Sequence, residues 1–383
     1  MKRILLLVTS LNRGGIETAL LNYLKELQRE NQLDVNYHFD LLINREERGT
    51  LEQDFLDLGC NIFRMAPMYP WTFHRYKKEF TQFLLQNSQY DVIHSHLEER
   101  SFFPMKIALK MQYAAKLVVQ VHSDHVMPVL DPKSLFRRFF RSRLRKLNGI
   151  AKVAVSKQCA KWLWGDASGV KIIPNPIDLD GLKFNEVLRL KKRTELNVAP
   201  ETLLLGSVGR LTYPKNHEMM LLTAAQLPHD LDFKLLLVGQ GELKAEIARK
   251  AGSLGLDDRL IMVGEVEDPG GYFATMDIFL FPSRFEGLGI VAIEAQASGL
   301  SVLASDRVPE DAKLTANFEV LEIGGNIPKV EYARRWAKRI LEIVQYSDSA
   351  FTFPKRHIDA YNTVEKSSYN VQTATQELIM LYY

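Results

Sequence analysis

The sequence predicts an α/β protein made of two doubly wound parallel-sheet domains. Three observations carry that prediction. Short apolar runs of the buried-strand kind alternate with glycine turns and helical stretches, the pattern of a parallel sheet covered by crossover helices. The rhythm begins at residues 3–9, RILLLVT, and begins afresh at Leu203–Val208. The chain has 383 residues, so two domains are expected rather than one.

The first strand runs into SLNRGGIET and then into an apolar-periodic helix over about Glu17–Leu27. Gly14 and Gly15 stand where strand becomes helix, but they do not form G-x-G-x-x-G, so a dinucleotide fingerprint is poorly supported. Further strands are expected at Phe39–Ile43, Ile62–Phe63, Val92–Ser95, Leu117–Val121 and Val153–Val155. A doubly wound sheet binds its ligands at the carboxyl ends of its strands. Two polar clusters occupy such ends: His94-Ser95-His96 and His122-Ser123-Asp124-His125. Of these His122 is the functional candidate, while His96 and His125 read as structural. The four histidines lack the ligand spacing of a zinc site.

Ser134–Leu147, SLFRRFFRSRLRKL, is the most lopsided segment. Leu135, Phe136, Phe139, Phe140, Leu144 and Leu147 recur at helical spacing, and six basic residues fill most of the rest. Two readings stand side by side: a core stripe under a solvated basic face, or a helix lying on a membrane surface.

In the second half, Leu203–Val208 is followed by Gly209-Arg210-Leu211-Thr212-Tyr213-Pro214-Lys215-Asn216. Leu235–Val238 leads to Gly239-Gln240-Gly241-Glu242, and Leu260–Val263 to Gly264-Glu265-Val266. Lys244 occupies the third-glycine position of a dinucleotide fingerprint and so counts against NAD. Ser301–Ala304 is the last clear strand, a helix is expected over Tyr332–Val344, and the tail from about Ile358 has helical character.

Most of the chemistry concentrates in Asp277–Gly299. A short buried strand, Ile278–Phe281, is closed by Pro282 and Ser283, and a loop holding Glu286, Gly287, Leu288 and Gly289 then enters a helix. Glycines at a helix entry let backbone N–H groups approach a ligand, and the helix N-terminus favours an anion, most simply phosphate. Glu286 stands at the mouth of that site, and Glu294 lies eight residues on, ~12 Å along the helix axis. Carboxylates repel phosphate, so these two are expected to accept hydrogen bonds from hydroxyls. Phosphate flanked by hydroxyls describes a sugar nucleotide.

Composition narrows the classes further. Hydrophobic residues make up 46% and charged residues 25%, the balance of an ordinary soluble protein. The apolar run Ile4–Val8 is too short for a signal peptide or a span, so a cytoplasmic location is expected. Cys60 and Cys159 are the only cysteines, which supports neither a disulfide framework nor a zinc site. Net charge is +3 overall, yet residues 1–175 hold 26 Lys/Arg against 17 Asp/Glu, a local +9 that favours an anionic partner or surface.

Glu286 and Glu294, preceded by Pro282-Ser283 and followed by Ala295 and Gly299, resemble the E-x7-E element of the retaining glycosyltransferases of family 4, which have the GT-B fold. The Gly209–Asn216 loop is similar to that family's G-R-x-x-x-x-K-N motif, and residues 172–178, IIPNPID, to its I-P-N-G-I-D signature, with Pro176 in place of the usual glycine. The resemblance covers nearly the whole chain. It implies two Rossmann-like domains facing across a cleft, 1–175 on the acceptor side and 176–356 holding the nucleotide sugar, with 357–383 crossing back to the first. It implies that Arg210 and Lys215 hold the donor diphosphate, Glu286 the donor sugar and Glu294 the ribose, with His122 near the reaction centre. Gly15, Gly209, Val266, Gly287, Leu288 and Gly289 would approach the donor through the backbone. The donor is expected to be a UDP-sugar and the acceptor a polyprenyl-diphosphate-linked saccharide of exopolysaccharide or capsule synthesis. No metal, no separate cofactor and no nucleic acid are expected, and the anionic inner face of the membrane is a candidate surface. Two alternatives stay open: a non-hydrolysing sugar-nucleotide epimerase of the same fold, and a non-catalytic sugar-nucleotide-binding partner in a synthesis complex.

Overall fold

The structure, a computed structural model, describes the chain except residues 70, 123–131, 267 and 347–351, with backbone alone at 132–134. The chain forms two compact units, Met1–Asp178 with Ser368–Tyr383, and Leu179–Ser367. The division therefore falls after Asp178 rather than after residue 175. Residues 357–367, expected with the first domain, pack with the second unit, because the His357 N–H donates to the Gly299 carbonyl at 3.0 Å and holds the segment there.

In the first unit the strands are β1 (Lys2–Val8), β2 (Tyr37–Ile43), β3 (Asn61–Arg64), β4 (Val92–Ser95), β5 (Lys116–Val121), β6 (Ile150–Ala154) and β7 (Lys171–Ile172). Among the described residues they form one parallel sheet in the order β3-β2-β1-β4-β5-β6-β7. The helices are α1 (Gly15–Arg29), α2 (Glu52–Asp57), α3 (Phe73–Gln86), α4 (Phe102–Lys110), α5 (Pro132–Arg145) and α6 (Lys157–Trp164). The strands are apolar on both sides because both faces are covered. One core lies under α3, α4 and α6 and contains Tyr76, Phe80, Met105 and Leu163. The other lies under α1 and α2, with Leu24 and Phe55, and it also takes Ala374 and Leu378 from the C-terminal helix. That helix is thus an integral wall of the first unit, and Lys2 Nζ donates to the Tyr382 carbonyl at 2.9 Å.

The second unit repeats the plan. Its strands are β8 (Leu203–Val208), β9 (Phe233–Val238), β10 (Leu260–Gly264), β11 (Ile278–Phe281), β12 (Ser301–Ser305) and β13 (Phe318–Leu321). They pair in parallel, among the described residues, in the order β10-β9-β8-β11-β12-β13. Its helices are α7 (Glu186–Glu195), α8 (His217–Ala224), α9 (Lys244–Ser253), α10 (Gly270–Thr275), α11 (Ile290–Ala297), α12 (Lys329–Ile343) and α13 (Asp359–Glu365), and α14 (Val371–Leu381) is the helix returned to the first unit. The last strand lies beyond Ser301–Ala304: β13 pairs with β12 over Val302–Ser305. It escapes the pattern because Glu319 interrupts the short apolar run of an edge strand, on which Val320 is exposed.

In both sheets the winding reverses between the first strand of the unit and its fourth, β1 and β4 or β8 and β11. The loops beyond the carboxyl ends of those two strands diverge there and leave a crevice, the ordinary ligand position of an open α/β sheet.

Candidate functional site

In the second unit the two loops at the switch point carry the residues singled out by spacing. The loop after β8 holds Arg210 and Lys215, and the loop after β11 holds Glu286. Lys215 Nζ lies 2.7 Å from Glu286 Oε1, and the Ser283 hydroxyl donates to the same oxygen at 2.6 Å. The ammonium also sits 4.9 Å above the Phe281 ring. Two donors and a ring face hold the pair in one arrangement, in a partly sheltered position where a charge contact is stronger than at an open surface.

Backbone and side-chain bonds fasten these loops to one another. Asn216 turns left-handed, with φ of 55°, to start α8, and its side-chain amide donates to the Pro282 carbonyl at 2.9 Å. The Arg284 N–H donates to the Pro214 carbonyl at 2.7 Å, and its guanidinium covers the Tyr213 ring at 4.3 Å. The Gly209 N–H donates to Val238, and the Gly239 N–H to Gly264, so the loops after β8, β9 and β10 are laced side by side. A Cβ on Gly239 would stand 2.0 Å from the Gly209 carbonyl oxygen, which explains a glycine there.

Gly289 starts α11 with φ of 84°, and a Cβ there would press to 3.1 Å on the Phe281 ring. The chain can thus turn sharply from β11 into α11, with Gly287 and the buried Leu288 at the helix mouth. Glu294 lies on α11 and is half-buried. Loss of solvent raises its carboxyl to about 7, with Asp268 adding repulsion and Lys215 opposing it. Arg210 is exposed and its guanidinium has no ion-pair partner among the described residues. Val266 is half-buried in the loop after β10.

In the first unit His122 follows β5 and is buried. Its Nδ1 lies 2.9 Å from Asn175 Oδ1 and its Nε2 2.8 Å from His96 Nδ1. Asn175 Nδ2 donates to the Gly15 carbonyl at 3.4 Å, which turns Oδ1 toward the histidine. The proton of His122 is then on Nδ1, and Nε2 accepts from the Nδ1–H of His96. Both ring nitrogens are engaged inside the unit. Burial keeps all three histidines neutral: His122 falls to about 4, His94 to about 3 and His96 well below its ordinary value. His125 lies outside the described residues.

The spacing argument assigned no role to four members of these sites. Ser283 binds Glu286, and the Pro-Ser pair ahead of it was visible as part of the motif. Asn175 orients His122 and ties it to the Gly15 turn, although Pro176 follows it. Glu98 accepts from the His122 backbone N–H at 3.2 Å, and Glu99 lies buried beside it, so two carboxylates sit at the carboxyl end of β4. No group of three His, Cys, Asp or Glu side chains among the described residues is arranged to hold a metal ion.

The basic helix α5 divides its stripe. Leu144 is fully buried and Phe140 packs on Phe103 at 4.6 Å, whereas Leu135, Phe136 and Phe139 are exposed. Its arginines are largely occupied. Arg137 faces Glu99 at 3.6 Å, Arg141 stacks on Trp162, Arg143 on Phe139, and Arg145 donates to the Leu163 carbonyl at 2.7 Å.

Comparison with known proteins matches this architecture. Residues 13–180 fit the model of Glycosyltransferase Family 4, and residues 189–355 that of glycosyl transferases group 1. The chain is 23% identical to the capsular polysaccharide biosynthesis glycosyltransferase CapH of Staphylococcus aureus, over 100% of this chain and 99% of that protein. It is 26% identical to the UDP-Gal:alpha-D-GlcNAc-diphosphoundecaprenol alpha-1,3-galactosyltransferase of Escherichia coli, over 73% of this chain and 74% of that protein. The crystal structure of Anabaena Alr3699/HepE in complex with UDP-glucose shares the fold, with a TM-score of 0.78, 18% identity, and coverage of 100% of this chain and 99% of that one. With a family model on each half and a matching fold throughout, the chain belongs to the GT-B glycosyltransferases, its first unit a Family 4 domain and its second a group 1 domain.

Proposed function

We infer that the protein moves a sugar from UDP to a hydroxyl of a polyprenyl-diphosphate-linked saccharide during assembly of a capsule or exopolysaccharide, with retention at the anomeric carbon. The observation that carries this is the Lys215–Glu286–Ser283 cluster at the switch point, beside Arg210 and the start of α11. The relatives that act in capsule synthesis or on a diphosphoundecaprenol-linked sugar support the acceptor class.

In this scheme Arg210 and Lys215 take the charge that builds on the departing diphosphate, a role for which fixed cations suffice without a metal ion. Glu286 accepts hydrogen bonds from donor-sugar hydroxyls, and Glu294 from ribose hydroxyls. Backbone groups of Gly15, Gly209, Val266, Gly287, Leu288 and Gly289 approach the nucleotide sugar, which is a substrate, so no separate cofactor enters. The acceptor hydroxyl attacks the face that the diphosphate leaves, through an oxocarbenium-like ion pair, as the bond from the anomeric carbon to the diphosphate breaks and the hydroxyl proton passes to an oxygen of the departing diphosphate. His122 acts in the first unit through its fixed position, since its ring nitrogens are engaged. The net charge of +9 over residues 1–175 favours work at an anionic inner membrane face; no helix among the described residues is long and apolar enough to cross one.

The test is donor consumption from a panel of UDP-sugars with and without a lipid-linked saccharide. Transfer is expected only with acceptor, with the anomeric configuration of the product matching the donor. Conversion of the UDP-sugar without acceptor would favour the epimerase, and tight binding without turnover the non-catalytic partner.

A further inference from the structure

The first unit contains a cleft of about 430 Å³ between α3, α4 and α5, within the size range of small-ligand sites. Its walls are aromatic: Phe73, Phe102, Phe103, Phe136 and Phe140 all face it. The rings contact one another, with centroids 4.4 Å apart for Phe73–Phe103 and for Phe136–Phe140. Lys77, Lys106 and Lys110 stand on the same lining, and no carboxylate does. None of these three lysines has an ion-pair partner among the described residues.

The surroundings are also apolar and wet. Tyr69 lines the cleft and stacks on Trp71 at 5.0 Å, and Trp71 is 79% exposed. Leu135 and Phe139 are exposed on α5 alongside. An aromatic slot left open to water, continuous with exposed rings, marks an interaction surface rather than an ordinary core. Three ammonium groups without a carboxylate partner among the described residues, Lys106 lying 5.1 Å from the centroid of the Phe102 ring, select a ligand that joins hydrocarbon to concentrated negative charge.

We propose that this cleft seats the hydrocarbon chain of a lipid diphosphate, with Lys77, Lys106 and Lys110 on its phosphates. The proposal rests on the lipid-linked acceptor inferred above and assigns that acceptor a second point of attachment, away from its sugar. It also adds a cationic determinant on α3 and α4 to the arginines of α5, of which Arg137, Arg141 and Arg145 are engaged with Glu99, Trp162 and backbone carbonyls.

The probe is farnesyl diphosphate, titrated calorimetrically with UDP saturating so that nucleotide sites are filled. Farnesyl diphosphate should bind, and inorganic diphosphate should bind at least ~10-fold more weakly, since it lacks the apolar part. Replacing Lys77, Lys106 and Lys110 together with Gln should weaken farnesyl diphosphate by ~10-fold or more. Phe136→Ser should do the same at an unchanged melting temperature, its side chain being partly exposed already. Equal affinity for inorganic diphosphate would overturn the proposal, as would undiminished binding in both variants. So would flotation on phosphatidylglycerol vesicles with no farnesyl diphosphate bound, which would make the face a bilayer surface instead. The two inferences fail separately. Farnesyl diphosphate seated without transfer to any lipid-linked saccharide sinks the acceptor assignment, and transfer without seating sinks the cleft.

Discussion

Lys215 and Glu286, on loops after two different strands, meet at 2.7 Å over the ring of Phe281. On the function proposed above, a cation for the leaving diphosphate and a carboxylate for the sugar are thereby held at adjacent positions. Their pairing also keeps each charge compensated. On that proposal, binding the donor exchanges this contact for contacts to phosphate and hydroxyls, which couples the two residues through the ligand.

Substitution of either cation follows from that geometry. Lys215→Ala and Arg210→Ala should each lower kcat by ~100-fold or more, the usual effect of losing one preorganised electrostatic contact. Glu286→Gln should chiefly damage transfer and the choice among sugars. The double variant Lys215→Ala, Glu286→Gln should lose less than the product of the single losses, because direct partners are not additive. Steady-state kinetics of the four proteins checks this; strict additivity would mean that the ion pair is incidental.

Glu294 predicts two pH effects. Its carboxyl is raised to about 7 in the folded chain and is ordinary when unfolded, so folding takes up a proton between those values. Its contribution to stability is present below the unfolded value and is lost as pH rises through about 7. Glu294→Gln should therefore raise the melting temperature at pH 8 relative to wild type and change it little at pH 5. UDP affinity should behave oppositely in the wild type, falling as the pH drops below about 7, where the carboxylate acceptor is protonated. The Gln variant should bind UDP more weakly and with a flat profile. Calorimetry across pH 5–8 reads both effects.

Much of this site was legible along the chain because its signals are local. A strand, a glycine turn and a helix follow one another within about twenty residues, and the loop after β8 and the E-x7-E run sit inside such units. Both family models and the fold agree with the expected pair of Rossmann-like domains. What spacing could not show is pairing across distance. Lys215 and Glu286 are 71 positions apart, and only the strand order places β8 beside β11. His122 illustrates the same gap: its place at a strand end was visible, whereas its pairing with Asn175 and His96 was not. The stripe on α5 was misleading in a different way. Helical periodicity shows that residues share a face, not whether α4 covers all of it, and the structure buries Leu144 while leaving Leu135 open.

The His96–His122–Asn175 chain makes a separate prediction. Asn175→Ala removes the acceptor that fixes the His122 tautomer and also frees the Gly15 carbonyl. The loss of one buried hydrogen-bond partner should cost about 1–3 kcal/mol of stability. Nitrogen-resolved NMR of labelled histidine should then show His122 in mixed tautomers, where the native chain shows the Nδ1–H form alone. Asn175→Asp should restore a single tautomer, since a carboxylate accepts from Nδ1–H as the amide oxygen does. A native His122 found protonated on Nε2 would contradict the assignment.

The last prediction concerns what holds the Glu286 loop in place from behind. Asp277, just before β11, receives Arg189 at 2.6 Å and Arg193 at 2.7 Å, and accepts from the Leu204 N–H at 2.7 Å. The same two arginines and Arg356 donate to carbonyls at the C-terminal end of α10, Arg189 to Thr275 at 2.8 Å and Arg356 to Ala274 at 2.8 Å. Those carbonyls have no partner within the helix and carry its negative end, so guanidiniums suit them. Two arginines therefore pair with one buried carboxylate while a third binds the neighbouring carbonyls, and Arg193 is only 1% exposed. Asp277→Asn keeps the shape and removes the charge, which leaves the buried cations uncompensated. Breaking a buried pair from one side typically costs about 3–5 kcal/mol, and this side holds two pairs. Urea unfolding should register a loss of at least that order in the second unit. Arg189→Met should cost less, because Arg193 still neutralises Asp277. If Asp277→Asn unfolds at the native urea midpoint, the cluster is not what anchors β11, and the position of Glu286 must depend on the Asn216 and Arg284 bonds alone.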